Sequence, residues 1–262
     1  MQKWLNDLYA IILKQGFNPD GGGSGGGSGG GSGGGSGVIV GKYLGDVYTD
    51  TQKAAIANGS FDGLHIGDYW TINGVNWRIA DFDYYYNVGD TPFTKHHIVV
   101  VPDTTLYDSN FNNRDETVGS YQNSNMRTNF LNNARTAFDN AFGSAYIPGH
   151  RGSYGLNAYN DGAPNSDRFV NMRVELMGEE QVYGHAVWSL TGYDVGTQKT
   201  QFRLFSLDQT KINITHSYWL TNVGSTTQFC VVGSNGKADK VNASNTSIGV
   251  RPFACIVGVP EQ

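Results

Sequence analysis

The chain has 262 residues, a formal net charge of −5, 16% charged and 13% aromatic residues, and two cysteines. An acidic chain with so few charges lacks the basic footprint of a nucleic-acid binder. Two cysteines supply neither a disulfide framework nor a four-thiolate zinc site, and no apolar run reaches the length of a membrane span.

The start, MQKWLNDLYAII, does not read as a signal peptide, because Asp7 interrupts the apolar run and no small-residue cleavage site follows. Trp4, Leu5, Leu8, Ile11 and Ile12 fall on one stripe at helical spacing, and Gly16 and Asn18-Pro19 stop the pattern. A helix of about 12 residues is marginal alone in water, so these five residues form a docking face. Two origins remain open: a recognition peptide that lies in a groove, or a native N-terminal helix whose connection has been replaced.

Residues 21–36 are four identical copies of Gly-Gly-Gly-Ser, and Gly37 extends the run. Such a stretch buries nothing and behaves as a coil with an r.m.s. span of about 20–25 Å. Its regularity marks it as an engineered tether. The chain therefore divides into a helical head (1–20), a linker (21–37) and a body (38–262). Lys3 and Lys14 balance Asp7 and Asp20 in the head, so the whole negative excess lies in the body.

In the body, TDTQKAAIANG predicts a short helix capped by Thr49 or Asp50 and stopped by Gly59. Asn73-Gly74, between alternating apolar runs, predicts a two-residue hairpin turn. HHIVVVPD predicts a buried strand ended by Pro102. In SNMRTNFLNNARTAFDNAFG, residues Met126, Phe130, Leu131, Ala134, Phe138 and Phe142 share a helix face that Gly143 ends. VELMGEEQVYG predicts a second short helix. QFRLFSL, SYWLTNV, TQFCVVGSNGKA and SIGVRPFACIV read as strands and loops. Helices set among short strands, without βαβ alternation, give an α+β class.

Catalytic signals are weak. The six histidines show no helical pairing and no HExxH, and adjacent His96 and His97 would point to opposite faces of a strand. No metal site and no cofactor is expected. Asp81 and Asp83 lie two apart, loosely compatible with a carboxylate pair of a glycosidase, but DFDYYYNVGD reads better as a hairpin end; Glu179 and Glu180 form a second pair. Cys230 and Cys255 sit in apolar strand-like runs, as two buried thiols or as one disulfide between neighbouring strands. No catalytic residue is assigned, and the body is read as non-enzymatic. All aromatics except Trp4, Tyr9 and Phe17 belong to the body, and with abundant Tyr, Asn, Ser and Gly they match the composition of adaptable binding surfaces.

The last third carries a resemblance. Tyr218-Trp219-Leu220, Ser234-Asn235-Gly236, Asn242-Ala243-Ser244-Asn245 and Gly249-Val250-Arg251-Pro252 occur in an order that resembles the C-type-lectin-like structural proteins of tailed phages of Gram-positive bacteria and their prophages. IGDYWTINGVNWRIADFDYY, HHIVVVPD, NMRTNFL and ELMGEEQVYG extend the likeness over nearly all of 38–262. It departs at Leu220-Thr221, where that group typically has Leu-Arg. Strings of calcium-dependent sugar lectins (EPN, QPD, WND) are absent from the body, and the NPD at 18–20 lies in the head.

The resemblance implies a C-type-lectin-like fold, with two main helices and short antiparallel strands, in a head or tail fibre of a virion. Trp219 and Arg251-Pro252 would be framework. Tyr218, Thr221, Asn222, Ser225, Thr227, Gln228, Ser234, Lys237, Asp239 and Lys240 would form a variable ligand face. Its partner would be a bacterial surface receptor or, for a virion joint or capsid decoration module, another virion protein. A homotrimer is the assembly such fibre tips favour, and neither a membrane nor nucleic acid is an expected partner.

Overall fold

The structure, a computed structural model, describes residues 39–153, 169–189 and 200–261. The chain parts into Met1–Gly37 and Val38–Gln262, and every described residue belongs to the second unit. The head helix with its docking residues Trp4, Leu5, Leu8, Ile11 and Ile12, and the Gly/Ser run, lie outside the described residues.

Helix α1, Asp50–Ala57, starts at Thr49 with the reciprocal cap its sequence encodes: Thr49 Oγ1 accepts from Gln52 N–H and Gln52 Oε1 accepts from Thr49 N–H. Gln52 Oε1 also accepts from the Trp70 indole at 3.0 Å, which fastens the helix start to the first strand. Strands β1, Tyr69–Ile72, and β2, Val75–Phe82, meet at Asn73-Gly74, where φ is 53° and 77°. Both values are left-handed, as a type I′ hairpin turn requires.

Strands β3, His97–Pro102, and β4, Tyr107–Asp108, precede the helical stretch. That stretch is not one uniform helix. A π-helical turn over Met126–Phe130 leads into α2, Asn132–Phe142, with Leu131 N–H bonded back to Met126 O. The wider turn carries Met126 and Leu131, five residues apart, to the same buried side, which a regular α-turn would not. Phe130, expected on that face, is only half-buried. Gly143, at φ 84°, ends the helix as its position in the sequence predicts.

Then come β5, His150–Ser153, β6, Phe169–Met172, β7, Val174–Leu176, α3, Glu179–Tyr183, and α4, Arg203–Leu207. The last of these corrects the strand reading of QFRLFSL. Leu204 and Phe205 are adjacent and both buried, a pattern a half-exposed strand cannot give and one side of a helical turn can. The chain closes with β8, Tyr218–Val223, β9, Gln228–Val232, β10, Ala238–Asn242, β11, Gly249–Val250, and β12, Pro252–Val257.

The architecture is α+β, mostly sheet. One five-stranded sheet runs β1-β2-β3-β12-β7 and a second runs β10-β9-β8-β11-β4, with β5-β6 as a separate pair. The first is antiparallel throughout, and the last strand is inserted between β3 and β7. β3 and β12 are buried along their whole length, which explains their unbroken apolar runs. Helix α2 packs Phe138 on Trp77 (ring centroids 4.5 Å apart) and Phe142 on Trp70 (5.8 Å). The second sheet has its own aromatic seat, Phe111 stacked on Phe229 at 3.6 Å with Trp219 edge-on.

Candidate ligand-binding site

The buried acids explain themselves structurally. Asp81 accepts from the Arg203 backbone (3.0 Å) and side chain (2.6 Å), which ties α4 to β2. Burial raises its pKa and Arg203 opposes that shift. Asp83 has left the strand at φ 52° and accepts from His97 N–H (2.9 Å) while contacting His96 Nδ1 (2.7 Å). The two carboxylates thus serve different partners and do not converge.

His96 and His97 do face opposite ways: His97 is fully buried and His96 lies partly in solvent, stacked on Tyr86. His97 donates from Nδ1 to Lys95 O and accepts Tyr85 N–H on Nε2, a pattern that fits the neutral ring. Among the described residues no group of three or more His, Cys, Asp or Glu is arranged to hold a metal ion. Cys230 and Cys255 are free, buried thiols in different sheets, so a disulfide between neighbouring strands is ruled out by the topology.

The ten residues of the expected ligand face do not form one surface. Tyr218, Thr221 and Asn222 lie on β8, which is buried along its length, and their assignment as ligand contacts is corrected. Inner strands of a covered sheet bury both faces, so side-chain alternation exposes nothing there. Tyr218 donates to Ile212 O and accepts from Arg251, and is framework with Trp219 and Arg251. Thr221 and Asn222 face the start of α3: Asn222 Oδ1 accepts from Glu179 N–H at 2.7 Å, and its amide reaches Ser189 Oγ at 3.2 Å. Ser225, Thr227 and Gln228 form the β8–β9 turn, with Ser225 Oγ bonded to Gln228 Oε1 and to Thr227 N–H. Ser234, Lys237, Asp239 and Lys240 lie beyond the other end of β9, on the next hairpin.

It is this second hairpin that meets a large exposed ring. Trp188 is 45% exposed, and Lys240 Nζ lies 4.8 Å from the centroid of its indole. The turn that carries Trp188 is held from beneath by Glu179, a fully buried carboxylate. Glu179 accepts from the backbone N–H of Val187 (2.9 Å), Trp188 (3.0 Å) and Ser189 (3.1 Å) and from Ser189 Oγ (2.8 Å). Charge-assisted bonds to three successive amides fix the backbone and leave the indole to face outward.

A groove of about 450 Å³ opens beside this turn, with Tyr183, Val187, Gln209, Asn213, Asn235 and Lys237 among its lining residues. Tyr183 donates to Gly236 O, closing α3 onto the hairpin tip. Gly236, at φ 79°, lets the tip turn against Asn213, where a Cβ would approach within 3.0 Å. Trp188, Val187, Tyr183 and Asn213 escape a motif-based reading of the sequence. The available signal is a tryptophan in the short segment HAVWS, just after the helix-ending Gly184.

Asp239 also serves its own strand. The bonds Gly233 N–H to Lys237 O and Ala243 N–H to Thr227 O place Lys237, Asp239 and Val241 in the ladder with β9 and turn the Lys240 amide to the free edge of the sheet. Asp239 Oδ1 accepts that amide at 2.8 Å. An exposed edge is blunted in this way by its own charged side chain. No family model, curated protein or solved structure matches the chain.

Proposed function

We propose that the 38–262 body is a non-enzymatic, C-type-lectin-like binding domain of a phage virion fibre, and that it meets a bacterial surface receptor through Trp188 and the β9–β10 hairpin. The observation that carries the reading is the Glu179 clamp: a fully buried carboxylate spends its acceptors on the turn that displays a half-exposed indole. Presenting an aromatic on a pre-set backbone lowers the ordering cost of binding. The resemblance in the sequence supports the lectin-type frame. So do the α+β class and the burial of Trp219 and Arg251, the residues that it marks as framework.

Fluorescently labelled chain mixed with a panel of Gram-positive cells tests this. The expected result is selective labelling that drops about tenfold on Trp188→Ala, the loss of one aromatic anchor. Equal labelling by the wild type and the Trp188 variant would remove the face from consideration.

A further inference from the structure

We infer that the groove beside Trp188 takes an anionic saccharide, a sugar chain bearing carboxylate or phosphate; this rests on the binding-face reading above and adds its ligand chemistry.

The groove is donor-rich. Among the described residues that line it none is acidic, although the chain as a whole carries −5. Lys237 is one of them, and Lys240 stands next to it over Trp188. Among the described residues neither lysine has a carboxylate within ion-pair distance. The groove's asparagines also turn their acceptors inward. Asn213 Oδ1 takes Thr215 N–H at 2.8 Å and Asn235 Oδ1 takes Lys237 N–H at 3.0 Å, so each side-chain NH₂ is left to donate. His185 commits Nδ1 to Ala186 O.

Two described acids near the groove are already engaged. Glu179 holds the 187–189 turn, and Asp239 caps the Lys240 amide. The ligand that complements this surface is rich in acceptors and negatively charged. It also needs a flat apolar face to lie on the indole, which a sugar ring supplies. An acidic peptide shares the charge, but its usual entry, pairing with a free strand edge, meets the capped amide of β10.

The test titrates the full chain with three probes: a galacturonate oligomer, neutral dextran and poly-glutamate. The galacturonate oligomer is expected to bind, with affinity falling as salt rises. The double variant Lys237→Ala/Lys240→Ala is expected to weaken it about tenfold, and Trp188→Ala by a similar factor. All three residues are surface groups whose truncation leaves the core intact. Equal binding of dextran, tighter binding of poly-glutamate, indifference to the lysine variant, or no binding of any probe would each overturn the assignment. The broader reading is checked separately. If no probe binds but Trp188→Ala still abolishes cell labelling, the face stands and its ligand is of another class; if Trp188→Ala labels cells normally, the face itself falls.

Discussion

Glu179 Oε1 lies 3.0 Å from the Trp188 amide nitrogen, so a fully buried acid holds the backbone of a half-exposed ring. The arrangement converts burial in the core into position at the surface. Asn222 supports it from below by accepting the Glu179 N–H and donating to Ser189 Oγ.

Glu179→Gln should therefore be disproportionately costly for a near-isosteric change. Glutamine offers one acceptor oxygen in place of two, and its amide hydrogens would face backbone donors. Losing charge-assisted bonds at a buried site costs about 3 kcal/mol, and for a domain of this size that corresponds to a drop in melting temperature of about 6–12 °C. Differential scanning calorimetry measures it. A variant that melts with the wild type would mean the clamp contributes nothing to the fold.

A pH effect follows from two other buried groups. Burial lowers the pKa of His150 to about 3, with the neighbouring His97 pushing the same way and the Pro148 backbone carbonyl opposing. Burial likewise lowers His97 to about 4; His96 adds to that, while Lys95 O and Asp83 oppose it. Both imidazoles are neutral in the fold and take protons near the usual pKa of about 6.5 once unfolded. The unfolded chain thus binds more protons below that value. Stability is complete above about pH 6.5 and falls as pH drops toward 4, by about 1.4 kcal/mol per pH unit for each histidine. Thermal melts between pH 7 and 4 should show this slope, and His150→Phe, which keeps the ring contacts with Tyr85 and Phe93, should remove roughly half of it. A flat profile in the wild type would mean that the two imidazoles take up protons as readily in the fold as in the unfolded chain.

Much of this fold is legible in the sequence because local chemistry and burial agree. The Thr49 cap, the Asn73-Gly74 turn and the stop at Gly143 each follow from residues that have few other uses. The apolar runs of β3 and β12 give their central positions. What the sequence hides is tertiary. Nothing local says that β8 is covered on both faces, so Tyr218, Thr221 and Asn222 pass for surface positions. Nor does spacing show that Glu179 reaches forward to Val187, Trp188 and Ser189, or that Lys240 lies over Trp188. Half of the candidate site comes from a hairpin that the sequence identifies, and half from a turn that only the fold brings to it.

The two thiols should be chemically silent in the native state. Burial raises the pKa of Cys230, and the Glu179 charge adds to it; burial raises that of Cys255 too, with Asp83 and Asp81 adding to it. A thiol that does not ionise is a poor nucleophile. Ellman's reagent should report no reactive thiol in the folded chain and two after denaturation. Rapid native labelling of either one would contradict the packing of β9 or β12.

Arg251 offers the sharpest test of the frame. The residue is 1% exposed, and among the described residues it has no carboxylate partner. Its charge is met by oxygens: Nε donates to Pro102 O at 3.0 Å, and one terminal nitrogen donates to Lys211 O at 3.1 Å and Tyr218 Oη at 3.2 Å. The group also lies over the rings of Tyr218 (5.1 Å) and Phe205 (5.5 Å), so it joins β12's entry, β3's end, β8 and α4. These acceptors diverge, and only a planar fork reaches them together. Arg251→Met leaves the carbonyls of Pro102 and Lys211 buried without donors, at a cost of about 3 kcal/mol. Arg251→Lys keeps a buried charge with fewer bonds, so it should be no milder than methionine despite its chemical likeness to arginine. Urea melts of the two variants compare them directly, with the midpoint as readout. A lysine variant as stable as the wild type would show that positive charge alone, and not the fork, holds the sheets to α4.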